Sequence, residues 1–185
     1  MNRAVFLDRD GVLTRAPVRD GRPCAPATLA EMEIESDAPA ALTRLKAAGF
    51  LLAVATNQPI VARGEASRKD VEAIHAALCA ALPLDACLVC YHDDADGCAC
   101  RKPRPGLLTG AAAAYGIDLA ASFMIGDRWR DMDAGAAAGC RTVWIDRGYR
   151  EPAPARAPDA RVATLAAAVE WILRASAVSG QESSR

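Results

Sequence analysis

With 185 residues, 52% of them hydrophobic and 24% charged, the chain is long enough to bury one full core and short for two independent ones. A net charge of −1 and a pI of about 6.1 exclude the electrostatic footprint of a nucleic-acid or anionic-membrane binder. No apolar run approaches the roughly 20 residues that span a bilayer, so the expectation is a cytoplasmic protein with one domain over residues 1–175 and a small, polar, disordered tail over 176–185.

In chain order, residues 3–7 form a short apolar run that ends in Asp8, and residues 50–55 form a second that ends in Thr56. Residues 86–89 run into a Cys-rich loop, residues 123–125 run through Gly126 into Asp127, and residues 142–145 make a fifth run. Each has the length and apolar continuity of a strand buried on both faces. Helical patterns lie between them, over 38–48, 68–82 behind Ser67 as N-cap, 106–115 and 131–138, with a last one over 165–175. Strand and helix alternate, which predicts an α/β fold with a doubly wound, Rossmann-like parallel sheet. The Pro- and Ala-rich stretch 151–158 reads as a connector.

In an open α/β sheet, ligands bind beyond the carboxyl ends of the strands, and four polar features fall at four such ends. Asp8-Arg9-Asp10-Gly11 offers two carboxylates at a spacing of two, which share one side of an extended chain. One can attack while the other handles a proton; an ordinary Asp-Gly turn is the alternative. Thr56 and Asn57 can offer a hydroxyl, an amide and backbone N–H groups to a phosphoryl oxygen, and Lys102 can add a point charge. Taken singly, these also suit a turn and a solvated surface cation. Asp8, Asp10 and Asp127 could supply oxygen ligands to magnesium, from side chain or backbone. Asp131 either orients that shell or only opens its helix. Arg101, Arg63 and Arg19 are candidates for gripping the non-reacting part of an anionic substrate. His75 falls mid-helix and reads as structural, with no Ser-His-Asp arrangement implied.

Cys90, His92, Cys98 and Cys100 place three thiols and an imidazole within eleven residues, immediately before Arg101-Lys102-Pro103. Such a set fills a tetrahedral zinc site and leaves no position for water, so the metal would be a structural clip holding the basic loop over an active site. A redox use of the thiols is the alternative. The other four cysteines, Cys24, Cys79, Cys87 and Cys140, read as small, mostly buried thiols of a reducing compartment.

Together, Phe6-Leu-Asp-Arg-Asp-Gly11, Thr56-Asn-Gln58 with Ala62-Arg-Gly64, the Cys90 to Pro103 cluster, and Gly126-Asp127 with Asp131 resemble the haloacid dehalogenase superfamily. Within it they are similar to the zinc-containing D-glycero-D-manno-heptose 1,7-bisphosphate 7-phosphatases and the related histidinol-phosphate phosphatases. The resemblance implies a magnesium-dependent phosphoric monoester hydrolase working through an aspartyl-phosphate. Asp8 would be the nucleophile and Asp10 the acid and then the base, while Thr56 and Lys102 would hold the phosphoryl group. Asp8, the Asp10 carbonyl and Asp127 would hold magnesium, with Arg101 on a small phosphorylated sugar.

Only residues 11–55, 45 in all, separate Asp10 from Thr56, too few for a full cap domain. A capless monomer roofed by loops, including 15–26 and the zinc loop, is therefore expected. Tyr91 stands where the family commonly has Pro, and the 14–28 loop, with Arg19 and Arg22, departs from the heptose-enzyme pattern. Histidinol phosphate thus stays open as the substrate. A non-enzymatic, zinc-stapled binding module is the alternative from another class, and it would tolerate loss of Asp8.

Overall fold

The structure is a computed structural model that describes residues 1–19 and 21–182, apart from the side chains of Arg19, Arg22 and residues 178–182. Strand β1 (Ala4–Leu7) leads through a small hairpin, β2 (Val18–Arg19) and β3 (Arg22–Pro23), and helix α1 (Ala38–Ala47) to β4 (Leu51–Asn57). Helix α2 (Arg68–Ala81) precedes β5 (Ala86–Cys90), and α3 (Gly106–Tyr115) precedes β6 (Phe123–Gly126). Then come α4 (Trp129–Ala138), β7 (Arg141–Ile145), β8 (Ala160–Val162) and α5 (Leu165–Glu182).

Six strands pair in the order β5-β4-β1-β6-β7-β8, parallel throughout. From β1 the chain moves outward to β4 and β5, then returns to the far side of β1 with β6 and moves the other way. The winding therefore reverses between β1 and β6, which opens a crevice at their carboxyl ends. Asp8 and Asp127 are the first residues beyond those two ends, and the Asp8 N–H donates to the Ile125 carbonyl at 3.0 Å.

Why β1 can be central is visible in its residues. All four are buried, Val5 and Leu7 on the face packed by α1 and α5, Ala4 and Phe6 on the face packed by α3, as the two-residue repeat of a strand requires. Burying a side chain the size of Phe6 or Leu7 stabilises the fold by roughly 2 kcal/mol. On the second face, Gly135 lets α4 lie against the sheet. A Cβ there would come within 2.7 Å of the Met124 Cβ and 2.8 Å of the Thr142 Cγ2. Ser67 caps α2 as its sequence predicts, accepting from the Asp70 N–H at 3.1 Å.

Three expectations about the elements change. Strand β8 has no counterpart among the predicted elements, because its three residues are at least partly exposed and carry no apolar run; its pairing with Val143–Ile145 supplies what its sequence lacks. Helix α4 starts at Trp129, two residues before Asp131, which makes Asp131 the residue that caps the helix from inside. Helix α5 runs to Glu182, so residues 176–182 continue a helix where a tail was expected. Ala175, Ser176 and Ala177 contain no breaker, and the Ser176 hydroxyl bonds back to the Ile172 carbonyl at 2.8 Å.

Between β1 and β4 the described residues hold only the hairpin, a 3₁₀ turn (Leu29–Glu31) and α1, which is the expected capless arrangement. No helix among the described residues is long and apolar enough to cross a membrane.

Candidate active site

The carboxyl ends of β1, β4 and β6, with the loop after β5, converge on Lys102. This side chain is 1% exposed, and its ammonium lies 3.0 Å from Asp8 Oδ1 and 2.5 Å from Asp131 Oδ1 while donating to the Ala55 carbonyl at 2.7 Å. Those contacts use all three of its donors. Burial works against the charge, but Asp131 and Asp8 hold the ammonium above its ordinary range. For Asp131, burial pushes the carboxyl up to about 6 against the pull of Lys102. Its second oxygen accepts from the Arg128 N–H at 3.1 Å, capping α4.

Asp127 differs from its neighbours. It is buried, and neither carboxylate oxygen has a donor in hydrogen-bonding geometry among the described residues. Burial, then the charges of Asp8 and Asp131, raise its carboxyl well above the usual carboxylate range, with the Tyr149 hydroxyl acting the other way. Carboxylate oxygens of Asp8, Asp127 and Asp131 all lie within 4.8 Å of one another. Three carboxylates around one ammonium leave an excess of negative charge, and Asp131 is already committed to Lys102 and α4. A buried, unpaired carboxylate beside Asp8 is a hard-oxygen donor set that fits magnesium. Gly11 makes the approach possible, with φ of +88° and a Cβ position only 1.7 Å from Asp127 Oδ2, where no side chain could stand.

Asp10 also faces the site, but its carboxylate is full. Oδ1 accepts from Arg9 Nε at 2.9 Å and the Thr14 hydroxyl at 3.0 Å; Oδ2 accepts from Arg9 Nη2 and Gln58 Nε2, each at 2.9 Å. The Thr56 hydroxyl accepts from the same Gln58 amide at 3.0 Å, which leaves its own proton to donate.

These groups form the floor of a cavity of about 600 Å³. Its lining includes Pro23, Cys24 and Ala25 of the 15–26 loop expected there, with Ala27 just beyond it. Arg63, Arg128 and Arg130 line the wall. Arg63 forks onto Asp93 at 2.7 and 2.8 Å, Arg130 reaches Asp94 at 3.2 and 3.3 Å, and Arg128 pairs with Glu151.

Two proposed substrate contacts are placed differently from their sequence reading. Arg101 does not line this cavity; its guanidinium binds Asp94 at 2.8 Å and the His92 carbonyl at 3.2 Å, bracing the Cys-rich loop. Asn57 lines the cavity, yet both ends of its amide are on the Lys102 backbone, each at 3.0 Å. It anchors the lysine. The Arg19 side chain lies outside the described residues. Sequence reasoning missed Arg128 and Arg130, although their place between Asp127 and Asp131 was the available signal, and it missed Gln58, two residues beyond Thr56.

Cys90, His92, Cys98 and Cys100 do come together. The sulfur separations are 3.7, 3.2 and 3.4 Å, and His92 Nδ1 lies 3.6 Å from Cys90 Sγ and 3.4 Å from Cys100 Sγ. A tetrahedral zinc with sulfur at about 2.3 Å sets edges of about 3.7 Å, so the cluster fits a closed zinc site. Cys24, Cys79, Cys87 and Cys140 lie outside it.

Comparison with known proteins places this geometry. A HAD-hydrolase-like family model matches residues 99–170. A D-glycero-beta-D-manno-heptose-1,7-bisphosphate 7-phosphatase of Bordetella bronchiseptica is 36% identical over 156 residues, 79% of this chain and 82% of the relative. A D-glycero-D-manno-heptose-1,7-bisphosphate 7-phosphatase of Thermosynechococcus vestitus is 34% identical, covering 91% of this chain and 94% of the relative. Among solved structures, the D,D-heptose 1,7-bisphosphate phosphatase from B. bronchiseptica, complexed with magnesium and phosphate, superposes with a TM-score of 0.75 at 32% identity. That match covers 93% of this chain and 98% of the other.

Proposed function

The chain belongs to the heptose-1,7-bisphosphate 7-phosphatase family of haloacid dehalogenase-like hydrolases, and from that premise we propose that it removes the 7-phosphate of D-glycero-D-manno-heptose 1,7-bisphosphate. The observation that carries this reading is the buried Asp8–Lys102–Asp131 triad beside the unpartnered carboxylate of Asp127.

Magnesium, held by Asp8, Asp127 and the Asp10 carbonyl, would polarise the phosphoryl oxygens and offset the charge of the nucleophile. The Asp8 carboxylate attacks phosphorus, the bond from phosphorus to the sugar oxygen breaks, and Asp10, entering the step protonated with one of its donor contacts given up, gives that oxygen its proton. Water then attacks the aspartyl-phosphate and gives a proton to Asp10, the bond from phosphorus to Asp8 breaks, and inorganic phosphate leaves. Lys102 can pass its Asp8 contact to a phosphoryl oxygen once Asp8 is esterified, and the free Thr56 proton can hold another. A bisphosphate carries a second anion that Arg63, Arg128 and Arg130 can receive. Histidinol phosphate brings an amine to that end instead, which Glu31 and Glu65 rather than the three guanidiniums would have to receive. Phosphorylated sugars and a thiolate zinc site both suit the cytoplasm.

The assignment is tested by following heptose 1,7-bisphosphate by phosphorus NMR with magnesium present. The C7 phosphate signal is expected to disappear while the C1 signal stays. Hydrolysis at C1, or a higher kcat/KM on histidinol phosphate, would overturn it.

Zinc on Cys90, His92, Cys98 and Cys100 would close its coordination shell and serve only to fix the loop that delivers Lys102. Stripping zinc, or Cys98→Ser, is expected to lower kcat about tenfold or more and to lower the melting temperature, because the ordering of that loop is metal-linked. Magnesium should still bind, as measured by calorimetry, since Asp8 and Asp127 are held at the ends of β1 and β6 and the Cys-rich loop forms neither strand. Full activity at zero bound zinc would contradict this role.

A further inference from the structure

We propose that Arg9 and His75 form a positioning pair that fixes the carboxylate of Asp10, a role that rests on the assignment of Asp10 as acid and base. Arg9 is the largest fully buried side chain of the described residues, although it is the spacer between the two acids of the first motif. A turn after β1 does not need an arginine there, and burying a guanidinium is costly unless every donor finds a partner. Each finds one. Nε and Nη2 grip the two oxygens of Asp10 as a fork, and Nη1 lies 2.9 Å from His75 Nε2.

The third contact distinguishes a positioning device from a simple ion pair. A guanidinium can only donate, so His75 Nε2 is the acceptor and the ring is neutral, with its proton on Nδ1. Burial and then the charge of Arg9 pull the His75 pKa down to about 4, so the acceptor survives throughout the neutral range. His75 comes from α2, the helix that leads into β5, so the orientation of the guanidinium is fixed from outside the β1 loop. Asp10 is thereby held in one rotamer among four donors, and a group that must give a proton to one oxygen and take it from another gains from being fixed.

The test uses the full-length protein with saturating magnesium, on the sugar bisphosphate and on p-nitrophenyl phosphate, whose leaving group needs no proton. His75→Leu removes the acceptor, and His75→Gln restores an accepting oxygen. His75→Leu is expected to lower kcat on the sugar about tenfold with KM changed less than about threefold. On the aryl ester its first turnover should stay near the wild-type rate while steady-state turnover falls, because water activation still needs Asp10. The result is a larger burst of p-nitrophenolate than wild type gives. His75→Gln should return kcat to within about threefold of wild type, and Arg9→Lys, which loses the fork, should behave like His75→Leu. An equal loss of both phases, or His75→Gln no better than His75→Leu in proteins that melt alike, would overturn the pairing and leave Arg9 and His75 as core support. Undiminished turnover by Asp10→Asn would overturn the assignment of Asp10 itself, and the pairing with it.

Discussion

Asp8→Asn is expected to lower phosphate release by at least about 10⁴-fold while leaving the protein as stable as its parent or more so. The amide matches the carboxylate in shape but cannot form the acyl phosphate. Its carbonyl oxygen can still accept from the Arg9 N–H, which donates to Asp8 Oδ1 at 2.7 Å, and from Lys102. Stability should not fall, because the substitution removes one of three carboxylates that crowd within 4.8 Å, and Lys102 keeps Asp131 and the Ala55 carbonyl. Paired phosphate-release and thermal-melting measurements check this. A variant that loses activity only because it melts early would point to a structural Asp8, and one with near-parental turnover would mean that Asp8 is not the nucleophile.

Lys102→Met should be the more damaging substitution for the fold. Methionine keeps most of the length and apolar stem, yet it leaves Asp8 and Asp131, both buried, without their shared cation. Breaking a buried ion pair by removing one partner typically costs about 3–5 kcal/mol, which for a chain of this size lowers the melting temperature by roughly 10 °C. Loss of the charge proposed to meet the phosphoryl group should also cut kcat by about 10²–10³-fold. Thus the two substitutions separate: Asp8→Asn is inactive and stable, Lys102→Met inactive and unstable. Urea unfolding of both proteins beside the parent measures the difference, and equal midpoints would mean that Lys102 is not the hub of the site.

The residues proposed to do the chemistry were easier to read than the residues that hold them. Asp8, Thr56 and Asp127 announce themselves because strands buried on both faces make continuous apolar runs, and the first polar residue after each run stands at a carboxyl end. The cluster of Cys90, His92, Cys98 and Cys100 is equally plain, since its four residues are close in sequence and of unmistakable type. Strand β8 has neither property and depends on its neighbour β7.

The supports were hidden by ordinary expectations about charge. Arginine is almost always found at the surface, so Arg9 reads as a spacer, and only packing shows it buried against His75. Arg101 suits an anionic substrate by its guanidinium fork and its place beside the Cys-rich cluster, but neighbours in an irregular loop need not point the same way. The loop turns Lys102 into the site and Arg101 onto Asp94. Asn57 illustrates the same limit, as its amide is matched to a backbone 45 positions away.

The central claim is that Asp8 carries the phosphoryl group between sugar and water. It is tested most directly by acid-quenching the wild-type protein during turnover of the sugar bisphosphate with magnesium and mapping the modified peptide by mass spectrometry. The account predicts one phosphoryl group on the peptide that contains Asp8, labile to hydroxylamine and missing from Asp8→Asn. A phosphoryl group on any other residue, or turnover that persists in Asp8→Asn, would contradict it.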